Sequence, residues 1–186
     1  PRFLYASSMT AYGFVDTLPV DVDKAIPKPV SYYGISKYAA ERYALATGLR
    51  QDIGFGFGVT AFRMFNVYGR RQSLDNPYQG VASIFIGNVL RREPIKIFGD
   101  GEQSRDFIHI SDVVAAWIKA FQAKKAIGQV FNLGTGTRIS INKLVRTDIA
   151  AFGEDPKKYP IHYFSVRPGD QRHMQADIRK TKRLLG

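Results

Sequence analysis

The sequence predicts an α/β protein built on a parallel sheet. Three observations predict it. Apolar runs of strand length recur at residues 3–6, 59–65, 95–98, 107–110 and 130–133. Segments with helical spacing of apolar residues alternate with them. The runs are nearly continuous rather than alternating, as in strands covered on both faces.

The elements follow in order. Residues 3–6 open the chain as a strand with no turn or cap before it, and residues 13–29 form a loop rich in Asp and Pro. Ser31 can cap a helix running to about Asp52, which the glycines Gly54, Gly56 and Gly58 break. A second strand is expected at 59–65 and a polar loop at 66–80. Residues 81–91 read as a helix, 95–98 as a strand, and Gly99-Asp-Gly101 as a turn. A strand at 107–110 leads to a helix capped by Ser111, with Val114, Trp117, Ile118 and Phe121 at helical spacing. A strand at 130–133 precedes a helix capped by Ser140 that carries Ile141, Leu144, Val145 and Ile149.

The chain has 186 residues and is 45% hydrophobic, which suits one domain or a large part of one. No segment approaches the ~20 apolar residues of a membrane span, and residues 3–6 are too short for the core of a signal peptide. With no cysteine, disulfide and thiolate chemistry are excluded. His109, His162 and His173 are scattered without metal-ligand spacing. The net charge of +11 suits an anionic partner. The basic residues are spread along the chain with a mild cluster at Lys180, Lys182 and Arg183. An anionic small molecule is therefore a better expectation than nucleic acid.

The chemistry concentrates near the N-terminus. Tyr33 and Lys37 lie four residues apart, on one face of the helix that Ser31 starts. A cation beside a phenol favours the phenolate, so the pair can shuttle a proton. Ser8, at the end of the first strand, can add a third hydrogen-bonding group. The pair alone would be unremarkable in a chain with ten tyrosines; the segments around it give it meaning.

Those segments are Tyr5-Ala-Ser-Ser-Met-Thr-Ala-Tyr-Gly13, Tyr33-Gly-Ile-Ser-Lys37, Arg63-Met-Phe-Asn-Val-Tyr-Gly69, Asn76-Pro-Tyr-Gln-Gly80, the stretch from Ile97 to Ile108, Phe131-Asn-Leu-Gly-Thr-Gly136 and Arg167-Pro-Gly-Asp170, with Asp177. In this order the chain resembles the extended short-chain dehydrogenase/reductase family, and within it the NAD-dependent nucleotide-sugar epimerases of the UDP-glucose 4-epimerase type. The resemblance implies a doubly wound Rossmann-like parallel sheet and a smaller substrate-binding α/β domain. Residues 1–66 would carry the first, and residues 67–186 mainly the second, with some elements returning to the sheet. The family's Gly-rich cofactor turn has no counterpart here. Gly134-Thr-Gly136 lacks the third glycine and matches a turn of the substrate domain. The expectation is therefore a C-terminal portion whose first βαβ units are missing, with an incomplete NAD site and an open sheet edge.

The resemblance also implies roles. Tyr33 would remove the proton from the sugar hydroxyl. Lys37 would hold the nicotinamide ribose and favour the phenolate, and Ser8 would hydrogen-bond the reacting hydroxyl. The sugar C4 would give a hydride to NAD⁺ and receive it back on its other face. Ser8, Tyr33, Lys37 and Phe65 would meet the cofactor. Asn66, Val81, Arg105, Arg167 and Asp170 would line the nucleotide-sugar pocket, with backbone groups at Lys96 and Phe98 reading the base. Arginine suits diphosphate because its fork donates paired, charge-assisted hydrogen bonds. Met9 and Thr10 stand where related 4,6-dehydratases carry an acidic pair, which argues for an epimerase. Phe14, Tyr68 and Tyr78 are open to pocket or packing roles. His109 and Trp117 are expected to pack, and Asn132 to serve a turn. The partners implied are a UDP-sugar and a second copy of the chain, in a cytoplasmic enzyme without metal. The alternatives are a decarboxylase, reductase or dehydratase of nucleotide sugars, or a non-catalytic nucleotide-sugar-binding or assembly module.

Overall fold

A computed structural model describes residues 1–50, 52, 56–76, 80–167 and 169–186. The expected break at Gly54 and the side chain of Tyr78 lie outside the described residues.

Strand β1 (Arg2–Ser8), helix α1 (Tyr32–Gly48) and strand β2 (Gly58–Met64) open the chain. β1 and β2 pair in parallel from Arg2 with Gly58 to Ser8 with Met64. This is a βαβ unit at the N-terminal end, so the expectation that the first such units are missing is corrected. The Ser31 side chain caps α1 by accepting from the Gly34 amide. The helix stops at Gly48, four residues short of the expected Asp52. A Cβ at Gly48 would stand 2.5 Å from the Val59 side chain, so the glycine lets the helix end close against β2.

Residues 66–80 were expected as loop throughout. The structure instead places strand β3 (Asn66–Tyr68) there, and helix α2 (Val81–Arg91) and strand β4 (Ile95–Phe98) follow as expected. Strands β5 (Ser104–Arg105) and β6 (Phe107–His109) lead into helix α3 (Ile110–Gln122). The α3 cap is His109 rather than Ser111: its ring nitrogen accepts from the Ser111 amide. Strands β7 (Val130–Leu133) and β8 (Ile139–Ser140), helix α4 (Ile141–Ala151), strand β9 (Ile161–Phe164) and helix α5 (Arg179–Leu185) complete the order. Ser140 caps α4 as expected.

β2 is the centre of the parallel sheet β1-β2-β7 and is buried along nearly its whole length. Two further parallel pairs, β3 with β6 and β4 with β9, and the antiparallel pair β5 with β8 extend the fold. The turn at Gly134–Gly136 therefore leaves the sheet that carries β1, which corrects its expected placement in the substrate domain.

Among the described residues three apolar clusters hold these layers. Phe62, Ile108, Val113, Phe131 and Leu133 join the sheet to α3, with Trp117 stacked on Phe62. Phe85, Val89, Ile95, Ile97, Val145 and Ile149 join α2, β4 and α4. Tyr12, Val20, Phe65, Met174 and Ala176 close the carboxyl end of the sheet. Among the described residues, no helix is long and apolar enough to cross a membrane.

Candidate active site

Open α/β sheets offer ligands the crevice at the carboxyl ends of their strands. Ser8 ends β1 there. Its Oγ accepts from the Thr10 amide at 3.2 Å and from the Thr10 hydroxyl at 2.9 Å. With both lone pairs engaged, the hydroxyl is left to present its own proton. Thr10 thus orients Ser8, a role the sequence reading missed. The one-turn helix Met9–Ala11 that follows is the seat of α1. A Cβ at Gly34 would lie 2.6 Å from the Thr10 carbonyl oxygen. Glycine at that position lets the first turn of α1, and Tyr33 with it, meet the Ser8 turn.

Lys37 Nζ donates to the Ala6 carbonyl at 3.0 Å and stands 5.8 Å from the Tyr33 ring centre. The Tyr5 hydroxyl returns a bond to the Lys37 carbonyl; burial, then Glu41 and Tyr33, raise the Tyr5 pKa, which keeps that donor neutral. Tyr33 itself is 56% exposed. The structure therefore brings Ser8, Tyr33 and Lys37 to one end of β1.

Behind them lies a buried polar network. Glu41 takes two bonds from Arg63, at 3.0 and 2.6 Å, and one from Ser7 at 2.6 Å. Burial opposes the Arg63 charge, but Glu41 and Tyr12 outweigh it and raise the pKa. The Arg63 guanidinium lies 4.7 Å from the centre of the Tyr12 ring. Burial pushes the Tyr12 phenol up to about 12, so it stays protonated and donates to Asn132 Oδ1 at 2.5 Å. Asn132, expected to serve a turn, is instead fully buried within β7.

A second feature is a cavity of about 930 Å³ between β4, the start of α2 and the segment after β9. Asn66, Val81, Lys96, Phe98, Arg105, Arg167 and Asp170 all line it. Asn66 lies two residues beyond Met64, the partner of Ser8 in the β1–β2 ladder, which links the cavity to the catalytic end. Gly80 and Val81 bring the N-terminus of α2 to the wall, where free amides favour an anion. The Arg105 guanidinium bonds Asp170 at 2.5 Å and the Ser104 carbonyl at 2.9 Å; burial lowers its pKa. Arg167 stacks 3.7 Å over Phe98.

In the parallel β4–β9 pair, the Ile95 and Gly99 amides donate to Pro160 and Phe164. By alternation the backbone of Lys96 and Phe98 faces away from β9, and Gln103 Nε2 holds the Phe98 carbonyl. Gln103 Oε1 and Asn66 Oδ1 are buried on this wall without a partner among the described residues. Gln103 was missed in the sequence. Asp106 was missed as well: its buried carboxylate receives the amides of Thr135, Gly136 and Ala176 and the Thr135 hydroxyl.

Phe65, expected to meet the cofactor, is 4% exposed and packs in the cluster with Tyr12 and Met174. Phe14 is largely exposed, Tyr68 packs edge-on against His109, and neither lines the cavity. Among the described residues, no group of three or more His, Asp or Glu could hold a metal ion.

Comparison with known proteins adds to this geometry. The sequence profile described as the NAD dependent epimerase/dehydratase family matches residues 1–134. The UDP-glucose 4-epimerase of Mycolicibacterium smegmatis is 32% identical over 97% of this chain and 55% of its own. The structure of UDP-glucose 4-epimerase with UDP-glucose from Thermotoga maritima is 37% identical, with a TM-score of 0.88 over 100% of this chain and 57% of that one. The structure of MoeE5 in complex with UDP-glucuronic acid and NAD is 39% identical, with a TM-score of 0.87 over 100% of this chain and 58% of that one. The chain spans just over half the length of the curated relatives it matches. The profile matches from the first residue, and an NAD-bound structure aligns with the whole chain. On these matches the expectations of an incomplete NAD site and of a non-catalytic module are corrected.

Proposed function

The chain belongs to the NAD dependent epimerase/dehydratase family, and from that premise we propose that it acts as an NAD-dependent nucleotide-sugar 4-epimerase on a UDP-sugar. The observation that carries this reading is the meeting of Ser8, Tyr33 and Lys37 at one end of β1, tied by the Lys37 bond to Ala6. The names of the relatives, UDP-glucose 4-epimerases among them, support it.

The residues present suit the cofactor. Tyr33 is open, and among the described residues one hydrogen of the Lys37 ammonium is committed, to Ala6, leaving others for a ribose. NAD⁺, when bound, would accept a hydride from sugar C4 and return it. In this reading Ser8 donates its free proton to the C4 oxygen, and Tyr33 takes the hydroxyl proton and later gives it back. Lys37 orients the ribose and keeps a positive charge beside the phenol. Met9 and Thr10 offer no carboxyl group for elimination across C5 and C6, and Thr10 is occupied with Ser8.

The cavity would take the UDP portion. Arg105, Arg167 and the α2 N-terminus suit the diphosphate, Asp170 the ribose hydroxyls, and the backbone of Lys96 with the amide of Phe98 the base, the Phe98 carbonyl being held by Gln103. Residues 1–66 would then carry the reacting groups and residues 67–186 mainly the nucleotide-sugar pocket. A homodimer in the cytoplasm belongs to the same reading, and sedimentation tests the dimer. Supplying UDP-glucose, UDP-galactose, UDP-glucuronic acid and UDP-N-acetylglucosamine in turn with NAD⁺ tests the activity: conversion of one to its C4 epimer is expected. Loss of water or of carbon dioxide instead would mean another reaction of the family.

A further inference from the structure

None of Ser7, Tyr12, Glu41, Arg63 and Asn132, the polar network beneath the catalytic end, lines the cavity. Glu41 is fully buried and shares the face of α1 that carries Lys37 and Tyr33, four and eight residues earlier. Its carboxylate is bonded to Arg63 on β2 and to Ser7 on β1. Ser7 and Arg63 are paired across the ladder, and Ser7 immediately precedes Ser8. One carboxylate thus joins the helix bearing Tyr33 and Lys37 to both strands that end at the site.

The buried residues of α1 are Gly34, Glu41 and Leu45, of which Leu45 alone is a large apolar side chain. A narrow apolar seam fixes the rotation and slide of a helix poorly. A two-pronged arginine–carboxylate pair fixes both, because its hydrogen bonds are directional. Replacing such buried pairs by apolar groups often costs no stability, so a specific geometry is a better account of this one.

We propose that Glu41 is a positioning residue: through Arg63 and Ser7 it sets the seat of α1 on the sheet, and with it the placement of Tyr33 and Lys37 against Ser8. The proposal rests on reading that trio as the reacting groups. The test compares Glu41→Gln, which keeps the size but ends the ion pair, with Val145→Ala, which opens a hole in the α2–α4 cluster that holds none of Ser7, Glu41 and Arg63. Two readouts are taken on the intact chain. One is kcat and KM for the UDP-sugar with NAD⁺. The other is the ¹³Cζ signal of Tyr33 in tyrosine-labelled protein, assigned by its loss in Tyr33→Phe.

Glu41→Gln is expected to lower kcat on the order of 10- to 100-fold, to leave KM within about twofold, and to move the Tyr33 signal. Val145→Ala is expected to lower Tm and to leave kcat and the Tyr33 signal unchanged. A Tyr33 signal unmoved by Glu41→Gln, or moved equally by Val145→Ala, overturns the proposal. Absence of turnover in the wild type defeats the proposed reaction, while the Tyr33 signal still decides the positioning role. Should Glu41→Gln fail to fold, Glu41→Gln/Arg63→Met removes both charges and is judged by the same readouts.

Discussion

Asp170 already holds Arg105 inside the cavity, carboxylate to guanidinium at 2.5 Å. A diphosphate arriving at Arg105 would meet that carboxylate, and two anions cannot share the fork without repulsion. In the proposed reading Asp170 would have to give up Arg105 as the ligand enters, which would free it for neutral hydroxyls. Asp170→Asn should bind inorganic pyrophosphate about fivefold more tightly and UDP less tightly than wild type. Titration calorimetry with the two ligands checks this, and parallel changes for both would refute it.

Arg105→Lys should weaken UDP binding by about 10-fold although the charge is kept. The Arg105 fork reaches Asp170, the Ser104 carbonyl and the ligand side together, and an ammonium cannot reproduce that plane of donors. An affinity equal to wild type would show that only the charge at this position matters.

Gly34→Ala should destabilise the protein by about 1–3 kcal/mol and depress activity more than that loss explains. The added methyl would lie 2.6 Å from the Thr10 carbonyl oxygen, a backbone atom that cannot swing away. Relief of the contact must lift the first turn of α1 from the Ser8 turn. Urea denaturation and turnover on the same preparation separate the two effects.

Asp148 should give the protein a pH-dependent stability. It lies on the face of α4 that carries Leu144 and Val145, and its Oδ2 is buried without a partner among the described residues. Burial pushes its carboxyl up to about 7. Between the usual carboxylate value near ~4 and this one, the folded state holds a proton that the unfolded state has lost, so this contribution declines as pH rises through that window. Asp148→Asn should narrow the difference in urea midpoint between about pH 5 and pH 8. An unchanged difference would assign the slope to other groups.

The regular elements were legible where local signals agree. Helix α2, strands β4 and β7 and the Ser140 cap of α4 stand where the apolar runs and cap residues placed them. Strands β5 and β8, of two residues each, carry too little pattern to announce themselves. Strand β9 exists through its pairing with β4, about 65 residues away. His109 took the α3 cap because its ring reaches the Ser111 amide, a choice that residue type alone would give to Ser111.

At the site, the residues named from the resemblance lie together, at the end of β1 and around one cavity, except that Phe65 turns into the core. What the sequence hid were the groups that hold them. Glu41, Asp106 and Asn132 are polar residues whose types are usually exposed. Their partners lie far along the chain or on another strand, so no local pattern marks them as buried.

The central claim is that Tyr33 is the proton-transfer group of a UDP-sugar 4-epimerase. Its most direct test is conversion of UDP-glucose to UDP-galactose with NAD⁺ by wild type and by Tyr33→Phe. The account predicts turnover by wild type and a loss on the order of 100-fold or more in the variant, with UDP affinity unchanged because Tyr33 does not line the cavity. A Tyr33→Phe protein that turns over at the wild-type rate would contradict it.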